Sequence, residues 1–394
     1  MARAGRVPRA MPPVSPVRLA AYSAAFFAYI GVYTTYWSAW LAEVGLSAAT
    51  IGLCISAGAW LRVVLNPAIA HLADRRRQRR RPMLLLLGLG LTLYGLLLWG
   101  PREVWFVAPL SVLATLSASA ILPLGEAVTL AVVYARKLDY GRLRLWGSLA
   151  FIAAGILTGE AVGRFGLPAV PVMVLGMVAL ALLAVACLPD VRPEPVARRP
   201  GEARRLLSHP AFIACIAGAS LIQASHAVLY GFATIDWRKA GIADAAIGWL
   251  WAEGVLAEVL LFAFSNRVVA WAGIPNLLLL AATAGVVRWG LLGLATSLPV
   301  VLLSQPLHAL TFGATHLAGM HFIQRACPAH LAATAQSIYS AFAGGIVVGF
   351  TALGSGLLYQ QAGSAAYLAM AAVALAGGVA GLLLRRLWSG GPLT

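Results

Sequence analysis

The sequence has little charge, and acidic residues are especially scarce. Only 11% of its 394 residues are charged, Asp and Glu together number 13, and 61% of the residues are hydrophobic. Almost all charges fall in short gaps between apolar runs of about 20 residues, the length at which a helix crosses a bilayer. A soluble chain of this size has too little interior to hide so much apolar surface. The composition therefore excludes a soluble globular protein and predicts a polytopic membrane protein.

Missing motifs exclude several further classes of function. The four cysteines are scattered without a Cys-x-x-Cys pair, which is typical of small apolar fillers and not of disulfides or metal ligands. No phosphate-binding Gly-x-x-x-x-Gly-Lys sequence occurs, so we expect no ATPase activity of its own. The sequence also lacks a nucleophile paired with a base and clustered metal ligands. We therefore expect a protein that is not an enzyme and that holds no cofactor and no metal.

The apolar runs predict an all-α integral membrane protein with 12 transmembrane helices. These helices are predicted at 17–42, 48–73, 82–101, 105–136, 141–164, 168–188, 211–238, 244–271, 274–297, 298–326, 331–361 and 363–388. Two sets of six runs predict an N-terminal six-helix bundle at 17–188 and a C-terminal six-helix bundle at 211–388. The stretch 189–210, rich in Pro and Arg, is predicted to be a cytoplasmic linker. Residues 1–16 and 389–394 are predicted to be cytoplasmic tails.

The net charge of +16 raises the question of a nucleic-acid partner. With Met1 placed in the cytoplasm, most of the 29 Lys and Arg residues fall on the cytoplasmic side. The exceptions outside are Arg102, Arg164, Arg238 and Lys239. This is the positive-inside bias of a membrane protein with both termini cytoplasmic. The arginine run at 75–81 is accordingly interpreted as a topology signal beside anionic lipid. We expect the lipid bilayer as a partner and no nucleic acid.

Ionisable side chains inside the predicted helices mark candidate sites, because each costs at least ~2.5–3.5 kcal/mol to insert. They are Arg62, Glu126, Arg144, Glu253, Glu258 and Arg288. Arg62 lies near the middle of the second helix and needs a carboxylate, either from the protein, such as Glu126, or from a substrate. Both possibilities stay open. Arg288 likewise needs a carboxylate, either from a substrate or from Glu253 or Glu258. The side chains of these two glutamates point about 140° apart on one helix.

Polar and aromatic side chains form stripes at helical spacing on three predicted helices. The stripes are Tyr22, Tyr29, Tyr33, Tyr36 and Trp40 on the first, Gln223, His226, Tyr230 and Thr234 on the seventh, and Gln305, His308, Phe312 and His316 on the tenth. One stripe alone indicates packing between helices, whereas three together favour a shared water-filled path. His308 and His316 lie roughly 12 Å apart along the helix, too far to share one metal ion. Hydrogen bonding or proton handling is the favoured role of these histidines.

The segment at 138–148, LDYGRLRLWGS, resembles the major facilitator superfamily. Further matches are Tyr230-Gly231-Phe232, the segment GVVRWG at 285–290 and Tyr339-Ser340-Ala341. Within the superfamily the chain is most similar to the branch that holds lactose permease and a bacterial 3-phenylpropionate transporter. The resemblance to the latter runs almost the whole length. It implies a multi-pass transporter of the bacterial inner (cytoplasmic) membrane, expected to be a monomer with a small-molecule substrate.

The resemblance also implies which residues contact the substrate. Glu126 and Arg144 match the acid and the arginine that bind sugar hydroxyls in lactose permease. Phe151 stands where that permease has a tryptophan stacked on the sugar ring. His308 matches its histidine on the tenth helix. These residues are therefore expected to face the substrate.

Proton coupling is expected to differ from that of lactose permease. Arg288 matches the permease's arginine on the ninth helix, and Glu253 matches its acid on the eighth. Thr311, however, occupies the place of the permease's proton-carrying glutamate. A proton carrier in this chain must then be another group, and we expect it to be Glu253 or Glu258.

Together these patterns predict a secondary active transporter that carries a small aromatic carboxylate, similar to 3-phenylpropionate, with protons by alternating access. Arg62 is expected to hold the carboxylate while the tyrosine stripe and Phe151 face the ring. The predicted substrate-binding residues are Arg62, Glu126, Arg144, Phe151, Tyr29, Tyr33, His226, Tyr230 and His308. The predicted proton-coupling residues are Glu253, Glu258 and Arg288. The alternatives are proton-coupled uptake of a neutral sugar or nucleoside, efflux of an amphipathic compound, and a membrane ligand sensor that moves nothing.

Overall fold

The computed structural model describes residues 15–190 and 202–393, and every regular element in these ranges is a helix. The N-terminal half contains α1 (Pro16–Glu43), α2 (Ala48–Arg76), α3 (Arg80–Trp99), α4 (Val104–Ser119), α5 (Ile121–Arg136), α6 (Tyr140–Phe165) and α7 (Ala169–Ala186). After the short α8 (Glu202–Leu207), the C-terminal half contains α9 (Pro210–Ala224), α10 (Ala227–Lys239), α11 (Asp244–Ala263), α12 (Ser265–Ala272), α13 (Ile274–Leu294), α14 (Leu298–Ser304), α15 (Thr315–Ala326), α16 (Ala332–Ala341), α17 (Val347–Ala362) and α18 (Ala366–Leu387). The predicted all-α fold is confirmed for these residues.

Nine helical stretches within the described ranges are long and apolar enough to cross a membrane. The exact count of 12 spans and the cytoplasmic position of the termini stay predictions, as do the boundaries of the two predicted bundles. Parts of the predicted N-terminal tail and linker, at 1–14 and 191–201, lie outside the described residues, as does residue 394 of the predicted C-terminal tail. The described end of the linker contains α8.

Proline divides two of the helices that the sequence predicts as continuous. Between α4 and α5 the helix is interrupted at Ala120, three residues before Pro123, and α14 ends at Ser304, two residues before Pro306. A proline ring clashes with the carbonyl group four residues earlier and supplies no N–H to it. The hydrophobic run continues across each interruption, so each pair of segments is predicted as one helix.

Side-chain hydrogen bonds divide a third predicted helix, between α9 and α10. The Ser225 hydroxyl donates to the carbonyl oxygen of Ile222 (2.7 Å), and His226 Nδ1 lies 3.2 Å from the same oxygen. These side chains compete with the backbone for the carbonyl groups of the last helical turn. The helix resumes at Ala227, and the break turns His226 into the interior of the C-terminal half, where it is fully buried.

Two π-helical turns widen helices of the C-terminal half. They span Ala309–Ala314, between Pro306 and α15, and Phe342–Ile346, between α16 and α17. In the first of them the carbonyl oxygen of Phe312 accepts a hydrogen bond from Gln223 Nε2 on α9 (3.4 Å). Such turns are frequent at functional sites because they change the direction in which successive side chains point.

Glycines let the two halves meet closely along α2–α17 and α6–α11. A Cβ atom at Gly52 would lie 2.7 Å from the carbonyl oxygen of Ala352, and one at Gly248 would lie 2.8 Å from that of Gly155. Only glycine permits backbones to approach this closely. Gly52 and Gly248 each lie in the second turn of a helix, at the ends of α2 and α11 that follow the connections from α1 and α10. We call this the sealed end, and the predicted topology places it on the outside.

Substitution of Gly248 by Leu should weaken the sealed end. The added side chain meets the α6 backbone, and overpacking of this kind costs about 1–3 kcal/mol. Labelling of Cys54 from the sealed side by a membrane-impermeant thiol reagent should therefore rise at least about fivefold, as measured by peptide mass spectrometry. The matched control is Gly176→Leu, where a Cβ atom meets nothing within 4 Å. Equal labelling in both variants would contradict the steric role of Gly248.

Candidate functional site

A cavity of about 410 Å³ lies between the N-terminal and C-terminal halves, which both contribute to its wall. Its volume is at the lower end of the range of small-molecule sites, roughly 300–1,000 Å³. The charged residues that line it are Arg62, Arg144, Glu258 and Arg288. The aromatic residues that line it are Phe27, Tyr33, Trp37, Phe151, Tyr230, Trp251 and Phe312. The wall therefore combines an apolar, ring-rich surface with a few ionisable groups.

The cavity brings together eight of the twelve residues predicted to form the site. The eight are Arg62, Arg144, Phe151, Tyr33, Tyr230, His308, Glu258 and Arg288. The other four, Tyr29, Glu126, His226 and Glu253, are absent from the wall among the described residues. Glu126 belongs to α5, which contributes no residue to the wall.

Arg62 lies near the middle of α2 and reaches the cavity from the N-terminal half. No carboxylate of the described residues lies within ion-pair distance of its guanidinium group. In particular, Arg62 makes no ion pair with Glu126, whose carboxylate instead accepts a hydrogen bond from the Tyr140 hydroxyl (2.8 Å). A guanidinium group at this depth needs an anionic partner. An anionic partner for Arg62 would therefore have to enter from the cavity.

Arg144 lies in the second turn of α6 and stacks on an aromatic ring. Its Cζ atom is 3.7 Å from the ring centroid of Phe27, a cation–π contact within the N-terminal half. Its Nη1 atom is buried and has no hydrogen-bond partner among the described residues. Glu126 and Arg144, the pair expected to bind hydroxyl groups, do not form an ion pair with each other here.

Arg288 on α13 is fully buried in a cluster of uncharged acceptors. Its Nη1 lies 3.1 Å from both His308 Nδ1 and Thr311 Oγ1, and its Nη2 lies 3.3 Å from Gln305 Oε1. Because a guanidinium group only donates hydrogen bonds, His308 Nδ1 must accept here. The proton of the neutral imidazole is then on Nε2.

His308 connects Arg288 to Glu258. Its Nε2 atom, which carries the ring proton, lies 3.5 Å from Glu258 Oε2 on α11. Glu258 is the only carboxylate that lines the cavity among the residues described. The buried positive charge of Arg288 and the negative charge of Glu258 are thus joined through one imidazole ring.

His226 and Tyr29 support the wall from behind. His226 Nε2 accepts from the Thr311 hydroxyl (3.0 Å), because its Nδ1 faces backbone carbonyl groups and must carry the proton. The His226 ring also stacks on Tyr230, which itself faces the cavity. On the other side, the Tyr29 and Tyr94 hydroxyl groups are 2.9 Å apart in the interior of the N-terminal half.

Trp37 and Trp251 line the cavity although they are not among the predicted site residues. Trp251 lies one helical turn before Gly254 and two turns before Glu258, so all three fall on one face of α11 and reach the cavity. This spacing was readable in the sequence. Trp37 lies between Tyr36 and Trp40 of the stripe on α1, and its stacking on Tyr33 (ring centroids 5.7 Å apart) is visible only in the structure.

In chemical terms, the arrangement is suited to bind one anion, contact an aromatic ring and exchange a proton with the cavity. The free guanidinium group of Arg62 supplies the first capacity. Rings from both halves supply the second. Glu258, whose carboxylate lies 3.5 Å from His308 Nε2, supplies the third.

Comparisons with known proteins agree with a transport site. The chain is 34% identical to the "Probable 3-phenylpropionic acid transporter" of Escherichia coli (strain K12), covering 90% of this chain and 93% of that protein. It is 28% identical to the maltose permease of Geobacillus stearothermophilus, covering 81% of each. The crystal structure of the nucleoside transporter NupG superposes with a TM-score of 0.80 at 14% identity, covering 94% of this chain and 99% of NupG.

The family itself is shown by the match to its sequence profile. Residues 17–369 match the MFS_1 like family, and the similar proteins are membrane transporters and not enzymes. The predicted class of protein, a multi-pass transporter of the major facilitator type, is therefore confirmed. The chain belongs to the MFS_1 like family of membrane transporters.

Proposed function

We propose that this transporter carries a small aromatic carboxylate together with protons. The observation that carries the proposal is Arg62, a guanidinium group in a cavity at the middle of a helix with no carboxylate partner among the described residues. Arg144 stacks on Phe27, and Arg288 is linked to Glu258 through His308. One anionic group on the substrate would complete the charge balance around Arg62.

The aromatic wall supports a substrate that carries a ring. Phe151 and Trp37 approach from the N-terminal half, whereas Tyr230, Trp251 and Phe312 approach from the C-terminal half. Rings from both sides contact a flat apolar group in offset or edge-to-face geometry. A relative named for 3-phenylpropionic acid, a ring with a short carboxylate chain, has the same two chemical features.

Glu258 is the proposed proton carrier. It is a carboxylate in the cavity wall, at the junction of α11 with the His308–Arg288 cluster. Protonation of Glu258 would remove the negative charge that balances Arg288 and make the cavity more attractive to an anion. Binding of a proton and of the substrate would then favour each other, as symport requires. Glu253, the other candidate, does not line the cavity among the described residues.

Alternating access is the proposed mode of transport. The close glycine contacts at the sealed end correspond to one state, and separation of the halves there would expose the cavity to the other side. A neutral sugar has less support, because Glu126 does not reach the cavity wall. We further infer a monomer in the bacterial inner membrane, as the resemblance to the major facilitator superfamily implies.

Uptake by reconstituted protein tests the proposal. Proteoliposomes with an alkaline interior should take up labelled 3-phenylpropionate faster than protein-free vesicles, which give the passive background for a weak acid. Unlabelled 3-phenylpropionate should compete, whereas maltose and uridine should not. Uptake that equals the passive background would refute the substrate class. Competition by maltose or uridine alone would favour the sugar or nucleoside alternative.

A further inference from the structure

Trp251 belongs to both the cavity wall and a hydrogen-bond chain between the halves. Its ring lines the cavity, and its Nε1–H donates to the hydroxyl oxygen of Thr234 on α10 (3.0 Å). The Thr234 hydroxyl in turn donates to the backbone carbonyl oxygen of Thr35 on α1, in the opposite half. Because an indole nitrogen only donates, the direction of the chain is fixed from indole to hydroxyl to carbonyl.

The chain lies beside the Gly155–Gly248 contact of the sealed end, since a Cβ atom at Gly155 would lie 3.5 Å from Thr35 Cγ2. Trp251, Thr234 and Thr35 are all buried. The residue after Thr35, Tyr36, donates through its hydroxyl group to the backbone carbonyl oxygen of Asp244 at the start of α11 (2.7 Å). Two successive residues of α1 thus hold the C-terminal half by hydrogen bonds. A buried polar chain of this kind orders its members, because each unmade bond would leave a polar group without a partner.

The same indole ring is part of an aromatic stack that begins at the cavity. Tyr230, which lines the cavity, stacks on Trp251 with ring centroids 6.2 Å apart and an interplanar angle of 15°. On the other side Trp237 packs against Trp251 at 5.7 Å. An aromatic ligand at Tyr230 would also touch Trp251 and restrict the indole to the orientation in which it donates to Thr234.

We propose that Trp251 is a positioning residue that joins occupation of the cavity by an aromatic ring to closure of the sealed end, through Thr234 and Thr35. The inference rests on alternating access as part of the proposed function. The transporter would then prefer an aromatic substrate because contact of its ring with Trp251 stabilises the closed form of the sealed end. A ligand without a ring would then bind without stabilising the sealed state.

The test is a hydrogen-bond deletion with a matched control in the same aromatic cluster. Trp251→Phe keeps a ring but removes the donor, whereas Trp237→Phe removes an indole nitrogen that has no hydrogen-bond partner among the described residues. Loss of one net hydrogen bond changes an equilibrium about fivefold. Labelling of Cys54, which lines the cavity, from the sealed side by an impermeant thiol reagent should therefore rise about fivefold in Trp251→Phe. It should remain unchanged in Trp237→Phe.

Thr234→Val provides a second, independent variant. It should raise Cys54 labelling at least as much as Trp251→Phe, because it removes both bonds of the chain, and the double variant should equal Thr234→Val alone. In transport, Trp251→Phe should lower kcat with little change in KM. Additive labelling in the double variant, wild-type labelling in Trp251→Phe, or an equal rise in Trp237→Phe would overturn the inference.

Addition of 3-phenylpropionate separates this inference from the proposed function. In the wild type it should reduce Cys54 labelling from the sealed side, and cyclohexanecarboxylate, which lacks an aromatic ring, should reduce it less. If both acids protect equally, the role of the ring in closure is refuted while the carboxylate site stands. If neither acid protects but the variants behave as expected, the substrate class is wrong and the hydrogen-bond link stands.

Discussion

Arg62→Gln should lower the affinity for 3-phenylpropionate by at least about 30-fold. Truncation of one partner in a buried, hydrogen-bonded charge pair costs about 2–5 kcal/mol, and each 1.4 kcal/mol corresponds to a factor of ten. The loss is expected to be large here because no carboxylate of the described residues balances Arg62. The measurement is competition binding to purified protein, with KM for uptake as a second readout.

The ligand and the protein both supply controls for the Arg62 prediction. The amide 3-phenylpropanamide carries no negative charge, so its weaker binding should be the same in wild type and Arg62→Gln. Arg164 is an exposed arginine in an i, i+4 pair with Glu160, and Arg164→Gln should change nothing. Arg62→Lys should recover part of the affinity, since it keeps the charge but not the bidentate geometry. If Arg62→Gln weakened the acid and the amide equally, Arg62 would have a structural role only.

Glu258→Gln should abolish proton-driven accumulation while exchange of substrate across the membrane continues. The amide keeps the size and hydrogen-bonding capacity of the side chain but cannot release a proton. An inside-alkaline gradient should then drive uptake no faster than in protein-free vesicles. Exchange of internal unlabelled for external labelled 3-phenylpropionate should stay within about threefold of the wild-type rate, because exchange does not require Glu258 to lose its proton.

Glu253→Gln is the matched control for Glu258. Both glutamates belong to α11, but Glu253 does not line the cavity among the described residues. Glu253→Gln should keep accumulation near the wild-type level. The opposite result, in which Glu253→Gln loses accumulation and Glu258→Gln keeps it, would transfer the proton-carrying role to Glu253.

The class of fold and much of the cavity wall followed from local sequence patterns. The lengths of the apolar runs predict membrane helices because the bilayer sets the length of a span. Arg62, Arg144, Glu258 and Arg288 were identifiable because charge is costly inside a membrane, and all four line the cavity. Because buried charge is costly, the few ionisable residues inside apolar runs stand out in the sequence.

The positions of Tyr29 and Glu126 were not readable in the same way. Tyr29 belongs to the same stripe as Tyr33, yet its hydroxyl group faces Tyr94 in the interior of the half. Glu126 is held by Tyr140, the first residue of the next long helix. A stripe predicts which face of a helix is buried. It does not predict which neighbouring helix covers each turn of that face, because this depends on the tilt between the helices. The spacing that places Trp251 beside Glu258 is visible in the sequence, but its hydrogen bond to Thr234 is not, because Thr234 lies on another helix.

The fixed orientation of the His308 ring has a consequence for the route by which protons travel. Because Arg288 donates to Nδ1 and Nε2 already carries a proton toward Glu258, the ring has no free lone pair on either nitrogen. A proton on Glu258 therefore cannot pass to His308 unless the ring proton first leaves Nε2 for Nδ1, and the hydrogen bond from Arg288 to Nδ1 blocks that shift. His308 therefore does not conduct protons away from Glu258. Glu258 must exchange its proton with water in the cavity.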